Sequence, residues 1–109
     1  PRMDEWMAWA DVAVCSGGTT VWELAFMGLP SVIGQIGPAE DALVSGLARL
    51  DLFTRIGWFR EAASAQIASA VGTLLRDREL RSRMSKQGRA LVDGRGTDRV
   101  IARLQAAST

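Results

Sequence analysis

Apolar and polar positions fall in blocks along this chain, and the period changes from block to block. MDEWMAWA (residues 3–10) sets Met3, Trp6, Met7 and Trp9 close to one-face helical spacing, which predicts a short helix. DVAVC (11–15) is a compact strand whose apolar residues no charge interrupts, as expected of a parallel strand covered on both faces. TTVWELAFMG (19–28) returns to the helical period, with Val21, Leu24, Ala25 and Gly28 on one stripe. Leu29-Pro30 should stop it, because proline cannot continue the ladder and restrains the residue before it. SVIGQI (31–36) reads as a second strand, AEDALVSGLARL (39–50) as a second helix and LFTRIGWF (52–59) as a third strand. Strand, helix, strand, helix, strand is the order of parallel βαβ units.

After Phe59 the strand period disappears. EAASAQIASAVGTLLRD (61–77) is helical, with Ile67, Val71, Leu74 and Leu75 at i, i+4, i+7 and i+8. Asp77 is placed to cap a further helix in which Leu80, Met84 and Leu91 form the apolar stripe. DGRG (93–96) breaks it, and Thr97 or Asp98 begins a last short helix through Val100, Ile101 and Leu104. The expectation is an α/β chain: a Rossmann-like parallel sheet with flanking helices and a helical C-terminal tail. Its 109 residues make one domain, with βα units in 1–60 and C-terminal helices in 61–109.

Composition narrows the chemistry. With 48% apolar residues the chain is globular rather than disordered. No apolar run approaches the ~20 residues that span a bilayer, and no signal-peptide pattern opens the sequence. One cysteine forms no internal disulfide, so nothing asks for an oxidising compartment, and a cytoplasmic location is the expectation. There is no histidine. That excludes Ser-His-Asp and Cys-His catalysis and the HExxH zinc site from these residues, and leaves Cys15 without partners for a metal. Cys15 reads as a small residue closing a strand. No catalytic residue, metal or cofactor is expected within the chain.

The net charge of +1 hides an uneven distribution. Residues 61–109 carry nine basic and five acidic side chains, and Arg76, Arg78, Arg81, Arg83, Lys86 and Arg89 crowd into RDRELRSRMSKQGR. A solvated helix face is the plain reading. Contact with anionic lipid or nucleic acid is the alternative, but no aromatic residues interleave to stack on bases, so no nucleic-acid partner is expected. Twelve arginines against one lysine suit a GC-rich bacterial genome.

The candidate chemistry lies in CSGGTTVWELAFMGLP (15–30), where a parallel strand gives way to a helix. In open α/β sheets ligands bind at that edge. The first turn of a helix has free N–H groups and a partial positive charge; Gly17 and Gly18 let backbone approach a ligand, and Thr19 and Thr20 add hydroxyls. The combination suits a phosphate or diphosphate. It is equally what a tight βα turn with a threonine cap would contain. Glu23 lies about one turn into the helix, where its carboxylate can lean back to accept from a vicinal diol such as a ribose; otherwise it only complements the helix dipole. The loop is neither G-x-G-x-x-G nor a Walker sequence.

SGGTTVWELAFMGLPS resembles the signature in the C-terminal half of GT-B-fold nucleotide-sugar enzymes. It is most similar to the SpsG/PseG group, the spore-coat polysaccharide and pseudaminic-acid-pathway hydrolases, and more distantly to the MurG glycosyltransferases of peptidoglycan synthesis. The resemblance extends upstream to MDEWMAWADVAV and downstream to GWF, MSKQGRALVDGRG and TDRVIARL. It implies that Ser16, Gly17, Gly18, Thr19 and Thr20 form the diphosphate turn and that Glu23 binds the ribose. In place of the family's Asn-Gln pair near the sugar, this chain has Ala39 and Glu40, so the sugar-proximal contacts differ. The implied fold is part of the C-terminal GT-B domain, with the catalytic half elsewhere, so these residues alone would be inactive. The implied ligand is UDP or a UDP-sugar, uridine being favoured by the resemblance. The implied partner is a missing N-terminal domain, or another chain, at an exposed sheet edge. The alternatives are hydrolysis, glycosyl transfer, or a non-catalytic binding or assembly module.

Overall fold

The computed structural model describes residues 2–47 and 50–107. Its centre is a parallel sheet of three strands in the order β1 (Ala13–Ser16), β2 (Ser31–Gln35), β3 (Thr54–Trp58). The β1–β2 ladder aligns Ala13 with Ser31 and Ser16 with Gly34, whereas the β2–β3 ladder slips between Ile33 and Gln35. Around the sheet stand α1 (Met3–Trp9), α2 (Thr20–Met27), α3 (Asp41–Leu47), α4 (Ser64–Arg76), α5 (Arg78–Leu91) and α6 (Gly96–Ala107). The α/β class, the parallel sheet and the helical C-terminal part agree with the sequence expectation.

Successive residues of β2 face opposite ways, so the sheet separates two cores. Ile33 joins Met7, Val21, Leu24, Leu29, Val44, Leu52 and Phe53 on one side. Val32 joins Ile56, Leu74 and Met84 on the other. All five β2 residues are buried. β1 differs: Val14 is exposed and Cys15 half-buried, because among the described residues its outer edge pairs with no strand. The expectation that DVAVC is covered on both faces therefore fails for β1, whereas β2 is so covered.

Helix ends follow their capping chemistry. α2 stops at Gly28, whose φ of 68° only glycine adopts freely. The Leu29 amide then bonds back to the Leu24 carbonyl at 2.9 Å, closing a Schellman-type cap two residues before Pro30. Glycine geometry, rather than the proline, ends the helix. Asp77 caps α5 through a 3.0 Å bond from the Leu80 amide, as its position predicts. The helix expected over 39–50 is a 3₁₀ turn at Pro38–Glu40 followed by α3; positions 48 and 49 of that expectation lie outside the described residues.

Three apolar stripes are only partly used. On α4, Leu74 is fully buried while Leu75 is exposed. On α5, Met84 is buried, Leu80 half-buried and Leu91 exposed. On α6 every described residue is exposed, including Val100, Ile101 and Leu104, and the helix begins at Gly96, just ahead of the expected start. Principal dimensions of 57 × 31 × 30 Å fit a body with α6 extending from it. Helical period signals an apolar face but not the presence of something to cover it.

α5 crosses α2 at Gly88. A Cβ added there would lie 2.7 Å from the Ala25 carbonyl oxygen, which is backbone and has little freedom to retreat. Gly88→Ala should therefore lower stability by roughly 1–3 kcal/mol through overpacking, despite alanine's better helix propensity. Leu74→Ala should cost about 2–5 kcal/mol, and Leu104→Ala should stay within about 0.5 kcal/mol. Urea unfolding monitored by circular dichroism compares the three.

Candidate functional site

The C-terminal ends of β1 and β2 bring two turns side by side. Residues 17–19 link β1 to α2, and residues 36–40 link β2 to α3. They touch at Gly17, which is buried: an added Cβ would collide with Val44 Cγ2 and lie 3.6 Å from the Cβ of Glu40. Gly17 is thus a packing position where only a glycine lets the loop settle onto α3. Gly18 is different, since nothing stands within 4 Å of the Cβ it would carry.

The loop then opens α2 without using its own hydroxyls. Thr19, the residue before the helix, makes no side-chain capping bond. The Val21 and Trp22 amides turn back to the Gly18 and Thr19 carbonyls, each at 3.1 Å. The amides of Gly18, Thr19 and Thr20 have no acceptor among the described residues. Three free donors and the positive end of α2 thus converge where the chain is half-buried or exposed. Ser16 ends β1 half-buried beside them.

Glu23 is exposed, with no hydrogen-bond or ion-pair partner among the described residues. It borders a cleft of about 420 Å³ whose walls are Asp4, Met7, Trp22, Phe26, Met27, Val92 and Gly94. Its carboxylate is therefore on the outer side of α2, near the loop in sequence but facing the α1 side of the helix. A second cleft, about 260 Å³, follows the free edge of β1 past Trp6, Val14, Cys15 and Thr20.

Glu40 is turned onto its own backbone. Its Oε2 accepts from the Ile36 amide at 2.8 Å and the Gly37 amide at 3.5 Å, which closes the turn before α3. Ala39 is exposed on that turn. A carboxylate at position 40 thus has a use that needs no sugar, where an amide would bond these N–H groups less strongly.

One polar group at this edge was not picked out by sequence reasoning. Gln35 ends β2 and is almost completely buried. Its amide nitrogen donates to Asp41 at 3.2 Å and its carbonyl oxygen accepts from Arg55 at 3.4 Å. Arg55 and Asp41 close the triangle at 3.9 Å. The network ties β2, β3 and the start of α3 together beneath the Gly17–Glu40 contact. A glutamine closing the mostly apolar strand SVIGQ was the available signal.

Burial pushes the Cys15 thiol above its ordinary range. Among the described residues no three His, Cys, Asp or Glu side chains converge to hold a metal ion, and no helix is long and apolar enough to cross a membrane.

The architecture is of the glycosyltransferase type. The chain superposes on the crystal structure of the glycotransferase of kitacinnamycin with a TM-score of 0.75 and 25% sequence identity, over 93% of this chain and 26% of that one. It therefore spans about a quarter of that protein's length. No protein-family model matches the chain, and no curated protein matches it.

Two outcomes check this geometry. Gly17→Ala should destabilise the fold, because Val44 must move, whereas Gly18→Ala should leave it nearly unchanged; thermal unfolding separates them. Because its thiol ionises at a raised pH, Cys15 should react with iodoacetamide more slowly than free cysteine at pH 8. Its rate should still climb above about pH 9, where a free thiol with a pKa near ~8.5 begins to level off.

Proposed function

We propose that residues 16–23 form the diphosphate- and ribose-binding corner of a nucleotide-sugar enzyme, with the reacting groups supplied by residues outside this chain. The carrying observation is the set of free amides at Gly18, Thr19 and Thr20, aimed from the N-terminus of α2 at the ligand edge of a parallel sheet. The Ser16, Thr19 and Thr20 hydroxyls supplement them, and Gly17 sets the loop's height by packing on Val44. Glu23, free of any internal partner, accepts from the ribose hydroxyls, and the ligand is UDP or a UDP-sugar. The exposed Ala39 and the turn held by Glu40 lie nearest the sugar.

Glycosyl transfer is the reading that the structural likeness favours, since the superposed protein is a glycotransferase. Hydrolysis of the sugar–diphosphate link is the second reading, favoured by the likeness of SGGTTVWELAFMGLPS to the SpsG/PseG signature. Neither reaction gets an acid–base histidine from this chain, which contains none. A histidine-bearing glycine-rich loop in a preceding domain would favour the hydrolase. In both readings the unpaired edge of β1, with exposed Trp6 and Val14 beside it, receives that domain or another chain.

Titration with UDP, followed through backbone amide shifts, tests the reading. The expected result is a saturable change at Gly18, Thr19, Thr20 and Val21, with Glu23→Ala weakening binding by about 1–3 kcal/mol through loss of a charged hydrogen bond. No change at millimolar UDP, or changes confined to α4–α6, would overturn it.

A further inference from the structure

We propose that a second anion site, for a phosphoryl group carried next to hydroxyls, occupies the groove between α5 and the α1–β1 connection. The groove holds about 470 Å³, within the range of small-ligand sites. Asp11 and Pro30, which line it, precede β1 and β2, so it lies at the end of the sheet opposite the Gly18–Thr20 loop.

One wall is a single face of α5: Arg78, Arg81, Ser82, Ser85 and Arg89, at the spacing that places side chains in a row. Arg81 is half-buried and fixed, because its Nη1 donates to the Leu74 and Leu75 carbonyls at 2.7 Å each, closing the end of α4. That leaves Nε and Nη2 held in place for another acceptor. Arg89 lies over Gly28, where its Cζ would be 3.0 Å from an added Cβ, with the Ser85 hydroxyl 2.7 Å from the same point. The far wall carries Asp11.

The charges of this wall are not compensated internally. Arg2, Arg55, Arg95 and Arg99 each sit against an aspartate or glutamate. Arg78, Arg81 and Arg89 have no carboxylate within ion-pairing distance among the described residues. Capping of α4 accounts for Arg81 but not for the two further arginines, Arg78 and Arg89, that line the same groove. Three donors in fork geometry and two hydroxyls match phosphoryl oxygens, and Asp11 opposite them matches a hydroxyl donor on the same ligand. A soluble polyol phosphate and a phosphatidylglycerol headgroup share this chemistry.

The test is an amide-shift titration of the chain with glycerol 3-phosphate, beside pelleting with phosphatidylglycerol and with phosphatidylcholine vesicles. The expected result is a saturable change at Gly28, Ser82, Ser85 and Arg89. Arg78→Gln with Arg89→Gln, both on exposed side chains, should weaken it more than tenfold while UDP binding at the loop is retained. Pelleting with phosphatidylglycerol alone, lost in the same variant, assigns the site to a lipid surface; soluble binding without pelleting assigns it to a free ester. Shifts spread evenly over Arg83, Arg95 and Arg103, binding indifferent to the double substitution, or neither binding nor pelleting would overturn the proposal.

Discussion

Burial of β2 on both faces is the constraint from which the rest of the structure follows. Val32 and Ile33 point in opposite directions and each anchors its own cluster, so neither layer of helices can form without the strand between them. With β2 fixed, β1 and β3 have nowhere to pair but its two edges, and all three strands end on one side. That is why the 17–20 loop and the 36–40 turn become neighbours although about twenty residues separate them. The sheet carries its own polar lock there: Gln35, buried at the end of β2, has both ends of its amide satisfied by Asp41 and Arg55. Leaving either end unpaired at that depth would cost more than the bond contributes when made.

Where the code is local, the chain could be read directly. Asp77 caps α5 because a short acceptor side chain before a helix has little else to do, and the βαβ order follows from blocks of alternating period. The limits appear wherever a residue's role depends on a distant neighbour. Gly17 and Gly18 are alike in sequence terms, yet Gly17 packs against Val44 from α3 and Gly18 stands open. Gly88 carried no signal at all, since only the crossing of α5 over Ala25 makes a side chain there costly. Glu40 looked like a departure from a sugar-binding pair, and it holds its own turn. The Arg81 bonds to the end of α4 depend on the same kind of return contact. Amphipathic period was the least reliable guide at the ends, where Leu75, Leu91 and Leu104 keep the spacing of buried residues while facing water.

The same logic separates the two ends of the sheet in kind. The loop end offers backbone donors, which a side-chain substitution cannot remove, so its donor pattern is set by the path of the chain. The α5 end offers guanidinium groups on a rigid helix, and single substitutions redraw its charge. A protein built this way can keep the first fixed while the second drifts.

α6 has a different status from every other element. A helix of twelve residues, all of them exposed and none belonging to either apolar cluster, draws little stability from packing and is marginal in water. Its amide protons therefore run on a separate clock: they exchange through local openings that leave the sheet intact, while those of β2 wait for the whole molecule to come apart.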